Sequence, residues 1–145
     1  MKKKLFAFTI NTLQQAENII YGTKIYKIKP VLHLNNNLLK GFGYDFVLTF
    51  QDMLFSKFGK SSFKLYVDCG LDNGLCISMA KKKINYIKLR SNSIILSKIK
   101  NIADKNKVLL NPSFNIVDCR NTKNINLKLK KLYSKEKNEN RWQPS

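Results

Sequence analysis

Histidine and tryptophan each occur once in this 145-residue chain, and cysteine and arginine three times each. Each scarcity removes a class of chemistry. With His33 alone, any catalytic arrangement built on imidazole has one candidate base. Cys69, Cys76 and Cys119 are odd in number, irregularly spaced and contain no C-x-x-C pair, so neither a disulfide framework nor a zinc site is expected. Reduced thiols point instead to the cytoplasm. Arginine is confined to Arg90, Arg120 and Arg141, which disfavours a reader of nucleic-acid sequence, because the guanidinium fork is the side chain suited to bidentate base recognition. No apolar run approaches the 18 or so residues of a membrane span. Met1-Lys2-Lys3-Lys4 followed by Leu5–Ile10 begins like a secretory signal, but the run stops at Asn11 with no small-residue cleavage site. A first strand is the better reading.

What the sequence does contain is enough apolar material for one core: 43% of residues are hydrophobic and 11% aromatic. The length suits a single domain. Charge is the loudest feature, with 27 basic residues against nine acids and a net charge of +18. Such a balance attracts RNA, DNA or other polyanions at ordinary ionic strength. Yet 24 Lys, 17 Asn and 14 Ile, all encoded by A/T-rich codons, also mark the composition that genome drift produces. Net charge thus identifies a class of partner, nucleic acid or an acidic protein, without a mechanism.

Strand-like and helix-like patterns alternate along the chain. Lys4–Ile10 is a short apolar run. Asn11 can cap a helix carrying Leu13, Ala16, Ile19 and Ile20, which Gly22 would stop. Val31–Leu34 follows Pro30 as a second strand, and Asn35-Asn36-Asn37 is turn chemistry, leaving room for one helical turn at most before the second punctuation, Gly41-Phe42-Gly43. Phe46, Val47, Phe50, Met53, Leu54 and Phe58 form a helical stripe closed by Gly59. Phe63–Asp68 is a third strand, Asp72 or Asn73 caps a helix ending at Lys81-Lys82-Lys83, and Ile84–Leu89 is a fourth strand. Ser91 or Ser93 caps the next helix, and Val108–Leu110 is a fifth strand stopped by Asn111-Pro112. Helices long enough for crossovers separate the strands, so the sheet should be mostly parallel. The expected fold is a compact α/β domain over residues 1–120, doubly wound in the Rossmann or flavodoxin manner with about five strands. Residues 121–145 read as a basic tail. Leu127, Leu129 and Leu132 can dock a short strand or helix, Ser134–Ser145 has too little to bury to offset its ordering entropy, and Trp142 is the one anchor there.

In open parallel sheets, ligands bind beyond the carboxyl ends of the strands. The loop Asp68-Cys69-Gly70-Leu71-Asp72-Asn73-Gly74 is therefore the candidate ligand site, with Asp68, Cys69, Gly70, Asp72, Asn73 and Gly74 its residues. Its Gly-x-x-x-Gly spacing can bring backbone amides to a phosphate. It lacks the Lys-Ser/Thr of a P-loop and the third glycine of a dinucleotide fingerprint. Capping and turn formation account for the same residues without a ligand. A Cys69–His33 dyad needs the second and third strands to be neighbours; packing roles are commoner for both residues. A second candidate surface is the basic stretch Lys81–Lys107, where Lys81, Lys82, Lys83, Lys88, Arg90, Lys98 and Lys100 can meet a polyanion. Tyr66 and Tyr86 can add stacking surface there.

The segments Gly43-Tyr44-Asp45-Phe46, Leu65-Tyr66-Val67-Asp68-Cys69-Gly70-x-x-x-Gly74 and Ile84-Asn85-Tyr86-Ile87-Lys88-Leu89 resemble a group of small uncharacterised bacterial α/β proteins. In those proteins a strand ending Leu-Asp-Cys-Gly precedes a glycine and a helix. The likeness spans about the first 110 residues and departs at Asn73, where a small residue or proline is more usual, and in the lysine-rich helices and tail. It implies a parallel α/β domain in a bacterial cytoplasm, and no catalytic role carries over from it. Without a recognisable set of acid, base and nucleophile, and with no cofactor or metal signature, a non-enzymatic polyanion-binding module is the first expectation. A small-molecule or phosphometabolite site at Asp68–Gly74, with or without catalysis, is the second.

Overall fold

The computed structural model describes residues 5–141, with side chains through Ser134. The elements run β1 (Phe6–Thr9), α1 (Leu13–Thr23), β2 (Val31–Leu34), α2 (Asn36–Phe42), α3 (Tyr44–Phe58), β3 (Lys64–Asp68), α4 (Asn73–Lys81), β4 (Tyr86–Lys88), α5 (Ser93–Lys105), β5 (Leu109–Leu110), β6 (Asn115–Asp118) and α6 (Ile125–Arg141). All six strands are parallel in one sheet of order β5-β4-β3-β2-β1-β6. The single α/β domain with alternating strands and helices is thus what forms.

Register decides which face each side chain takes, because successive strand residues point to opposite sides. Phe8, Ile10, Leu32, Leu34, Leu65, Val67, Cys69, Ile87 and Leu89 share one face, and all are buried against Ala16, Ile19, Val47, Phe50, Leu54, Cys76, Met79, Ile99 and Ala103 of the helices. The opposite face carries a separate small cluster of Ala7, Val31 and Tyr66, with Tyr86 and Phe114 packed on it and no helical residue among them. Helices were expected on both faces; here they occupy one. Stepping from β1 to β5 one neighbour at a time with right-handed crossovers keeps every helix on the same side. The return from β5 to β6 runs the other way, and the same handedness carries it over the other face, where a four-residue strap takes the place of a helix.

That strap, Asn111–Phe114, bends the sheet. A flat sheet of this order would set its edge strands about 24 Å apart. The five steps from Leu110 to Asn115 reach about 18 Å at full extension. The sheet therefore curls, and its helix-free face is concave. Asn111 anchors the strap from a left-handed backbone conformation (φ 50°), accepting from Leu89 N at 2.8 Å and donating to Leu89 O at 3.1 Å. Phe114 then packs edge-on against Tyr86, with ring centroids 4.8 Å apart, and lies 5.6 Å from the Tyr66 ring.

Several local expectations need correction. The α1 cap is Thr12 in a reciprocal capping box with Gln15, one residue past Asn11. Gly22 lies inside α1: a Cβ there would come within 2.6 Å of Leu129 Cδ1, so the glycine admits α6 instead of stopping the helix. Asn35 caps α2, which runs for seven residues where one turn was expected. Asn92, not Ser91 or Ser93, caps α5, its Oδ1 accepting from Ile95 N at 2.9 Å. Beyond residue 121, α6 packs against the domain: Leu129 is fully buried, and Tyr133 meets Phe6 edge-on at 5.9 Å. Trp142 lies outside the described residues.

Candidate ligand site at the carboxyl ends of the strands

The Asp68–Gly74 loop leaves β3 as turn chemistry dictates. Asp68 Oδ1 accepts from Gly70 N at 2.9 Å, closing an Asx-type turn. Gly70 takes φ 61°, and a Cβ on it would sit 2.7 Å from Asn36, whose amide donates to Asp68 O at 3.2 Å. Asp72 Oδ1 accepts from Leu75 N at 2.9 Å and so caps α4. Asn73 Oδ1 is buried without a hydrogen-bond partner. Gly74 has only Asp72 Oδ1 near the place of a Cβ, at 3.5 Å.

These local roles leave a cleft of about 380 Å³ between the starts of α2 and α4, lined by Asn36, Leu39, Lys40, Cys69, Leu71, Asp72, Leu75 and Arg90. Arg90 arrives by an extension of the β3–β4 ladder, its N–H donating to Gly70 O at 2.8 Å. Lys40 and Arg90 are exposed, and neither has an ion-pair partner among the described residues. Leucines form the apolar wall. Cys69 and Asp72, expected from the sequence, line this cleft; Asp68, Gly70, Asn73 and Gly74 shape its loop. Lys40 and Asn36 were missed because an Asn run before a short helix carries no ligand signature by itself.

Cys69 is fully buried on the helix side of the sheet, and its thiol is pushed far up, first by hydrogen bonding with the Cys76 thiol and then by burial. The Cys69–His33 dyad is not formed. β2 and β3 are neighbours, but His33 pairs in register with Tyr66, and Cys69, three residues on, faces the other side.

The basic residues do not converge. Lys81, Lys82 and Lys83 stand at the end of α4, before β4, whereas Lys88 and Arg90 lie at the far end of that strand. Lys98 and Lys100 are exposed on α5, and Lys100 Nζ is paired with Asp104 at 3.0 Å.

The concave face holds a row the sequence did not single out: Thr9, His33, Tyr66 and Tyr86, aligned across β1 to β4. Thr9 Oγ1 and His33 Nδ1 are 2.8 Å apart, and the His33 and Tyr66 rings lie 4.8 Å apart. Burial lowers the His33 pKa to about 4; Asp68 and Asp118 oppose this, while Lys88 and Arg120 add to it. Burial, then Asp68, raises Tyr66 to about 12. Both groups are neutral near pH 7. Asp118 is held at about 2, chiefly by the hydrogen bonds from the Arg120 side chain and backbone. Period-two alternation was the one available signal for this row, since its polar members interleave with Phe8, Leu32, Leu34, Leu65 and Val67.

No protein-family model matches the chain, and no curated protein matches it. Among solved structures it is similar to a "putative fructose-1,6-biphosphate aldolase" from Coccidioides immitis, with TM-score 0.56 and 12% identity over 74% of this chain and 44% of that one. The chain spans less than half the length of that protein. The likeness is one of fold.

Proposed function

We propose that this protein binds a small phosphate- or carboxylate-bearing metabolite in the cleft between α2 and α4. The observation that carries the reading is the pair of cations Lys40 and Arg90, without ion-pair partners among the described residues, set against an apolar wall where the strands end. In parallel α/β sheets that edge is where loops converge and ligands settle. The cleft volume suits a metabolite-sized molecule. The structural neighbour, named for a sugar-phosphate enzyme, is compatible with this class of ligand.

A panel of sugar phosphates and small carboxylates, screened by thermal shift, tests the proposal. A stabilising ligand should lose affinity by about 10-fold or more in Lys40→Ala or Arg90→Ala, as expected for one hydrogen bond to a charged group. Lys81→Ala should bind normally. Equal losses in all three variants would reduce the effect to general charge and remove the site.

Polyanion binding is the second reading, supported by the field of a +18 chain in which the described residues form three ion pairs. The separation of Lys81–Lys83 from Lys88 and Arg90 favours diffuse attraction over a shaped nucleic-acid groove. Titration into single-stranded RNA at rising salt separates the two: binding that persists near physiological salt supports the second reading, and its disappearance by moderate salt rejects it.

A further inference from the structure

We propose that the concave, helix-free face is a separate site that binds a 2-oxo acid, with His33 and Tyr66 meeting the carbonyl oxygen and Lys88 the carboxylate. Thr9 and His33 are two of the three buried polar or charged side chains among the described residues. The third, Thr23, is explained by its hydroxyl, which donates to Ile19 O at 2.8 Å. Thr9 and His33 satisfy one another only in part. With the Thr9 hydroxyl donating to Nδ1, Nε2 carries the ring proton and has no protein partner among the described residues. Tyr66 Oη likewise has none there.

Two neutral donors side by side in a partly buried site are suited to a carbonyl oxygen, which accepts hydrogen bonds and needs no counter-charge. Lys88 stands opposite Asp68 across the β3–β4 ladder on the same face, and no salt bridge joins them. Arg120 is occupied by Asp118 at 2.7 Å, so Lys88 is the cation near His33 left for an acid group. Phe114, just before the start of β6, packs on Tyr66 and Tyr86 and covers the face toward the strand starts.

His33 is the chain's one histidine, so its ring Cε1–H gives a single, assigned NMR signal. Pyruvate, lactate and propionate form a matched probe series that keeps the carboxylate and changes the carbonyl. Pyruvate should shift the His33 signal saturably at pH 7, with lactate and propionate weaker by about fivefold or more. Tyr66→Phe, which removes only the hydroxyl, should weaken pyruvate by about fivefold, and Lys88→Met by about tenfold. Lys40→Ala and Arg90→Ala should leave it unchanged, so that failure of the cleft and failure of this face are read separately. No saturable shift, equal shifts from all three acids, or indifference to Tyr66→Phe with its fold retained would overturn the proposal.

Discussion

Acid should destabilise this protein through its single histidine. His33 titrates at about 4 in the fold and at 6.5 when exposed, because burial disfavours the imidazolium. Between those values the unfolded chain binds the extra proton. The contribution is therefore fully present above pH 6.5 and is lost as pH falls through 4. Linkage puts the loss at about 2 kcal/mol at pH 5 and about 3 kcal/mol at pH 4. The parent's overall acid response also includes its nine acids. The informative quantity is therefore the difference between the parent and His33→Gln, which keeps a hydrogen-bonding group beside Thr9 and removes the titration. Urea unfolding at pH 7.5 and pH 5 should show the parent losing about 2 kcal/mol more than the variant, a relative midpoint change of about 1 M. Parallel pH dependences in the two proteins would refute a buried, neutral His33.

Leu129→Ala should cost about 2–5 kcal/mol in the same unfolding assay, since the side chain is fully enclosed between α6 and Gly22; a change under 0.5 kcal/mol would mean that α6 does not dock. Gly70→Ala should destabilise by about 1 kcal/mol from the left-handed backbone alone, plus the displaced Asn36 amide, and Asn36→Ala should relieve the second part; additive losses in the double variant would contradict this contact. Asp72→Ala should cost about 1 kcal/mol through the lost α4 cap, and Asp72→Asn much less; equal losses would place its role elsewhere. All three cysteines are buried, so a thiol reagent should label the native protein only at the rate of opening, and a rapid stoichiometric burst would contradict that burial.

The parallel α/β alternation was legible because each strand is a short apolar run and each long helix carries its own stripe and stop, as in Tyr44–Phe58 closed by Gly59. Cap identity was legible only to within a residue, since Asn11 and Thr12, or Ser91 and Asn92, each carry a side-chain oxygen able to accept from a free N–H and backbone geometry chooses between them. β6 was missed: Asn115–Asp118 has two apolar residues, is mostly exposed, and is a strand only because β1 offers it an edge.

The candidate sites divide in the same way. Turn chemistry marked Asp68–Gly74, because Asx turns and caps are local and written in consecutive residues. Lys40 and Arg90 lie 50 positions apart, and nothing short of the fold sets them on one cleft. The row of Thr9, His33, Tyr66 and Tyr86 depends on register, which places one residue from each of four strands side by side. By itself the sequence determined that helices and strands alternate and that the strands are buried, since periodicity and local turns require no distant partner. Tertiary structure alone decided that the helices share one face and that a four-residue strap curls the sheet. It also decided which polar side chains meet, because strand order and register are set by contacts between residues far apart in the chain.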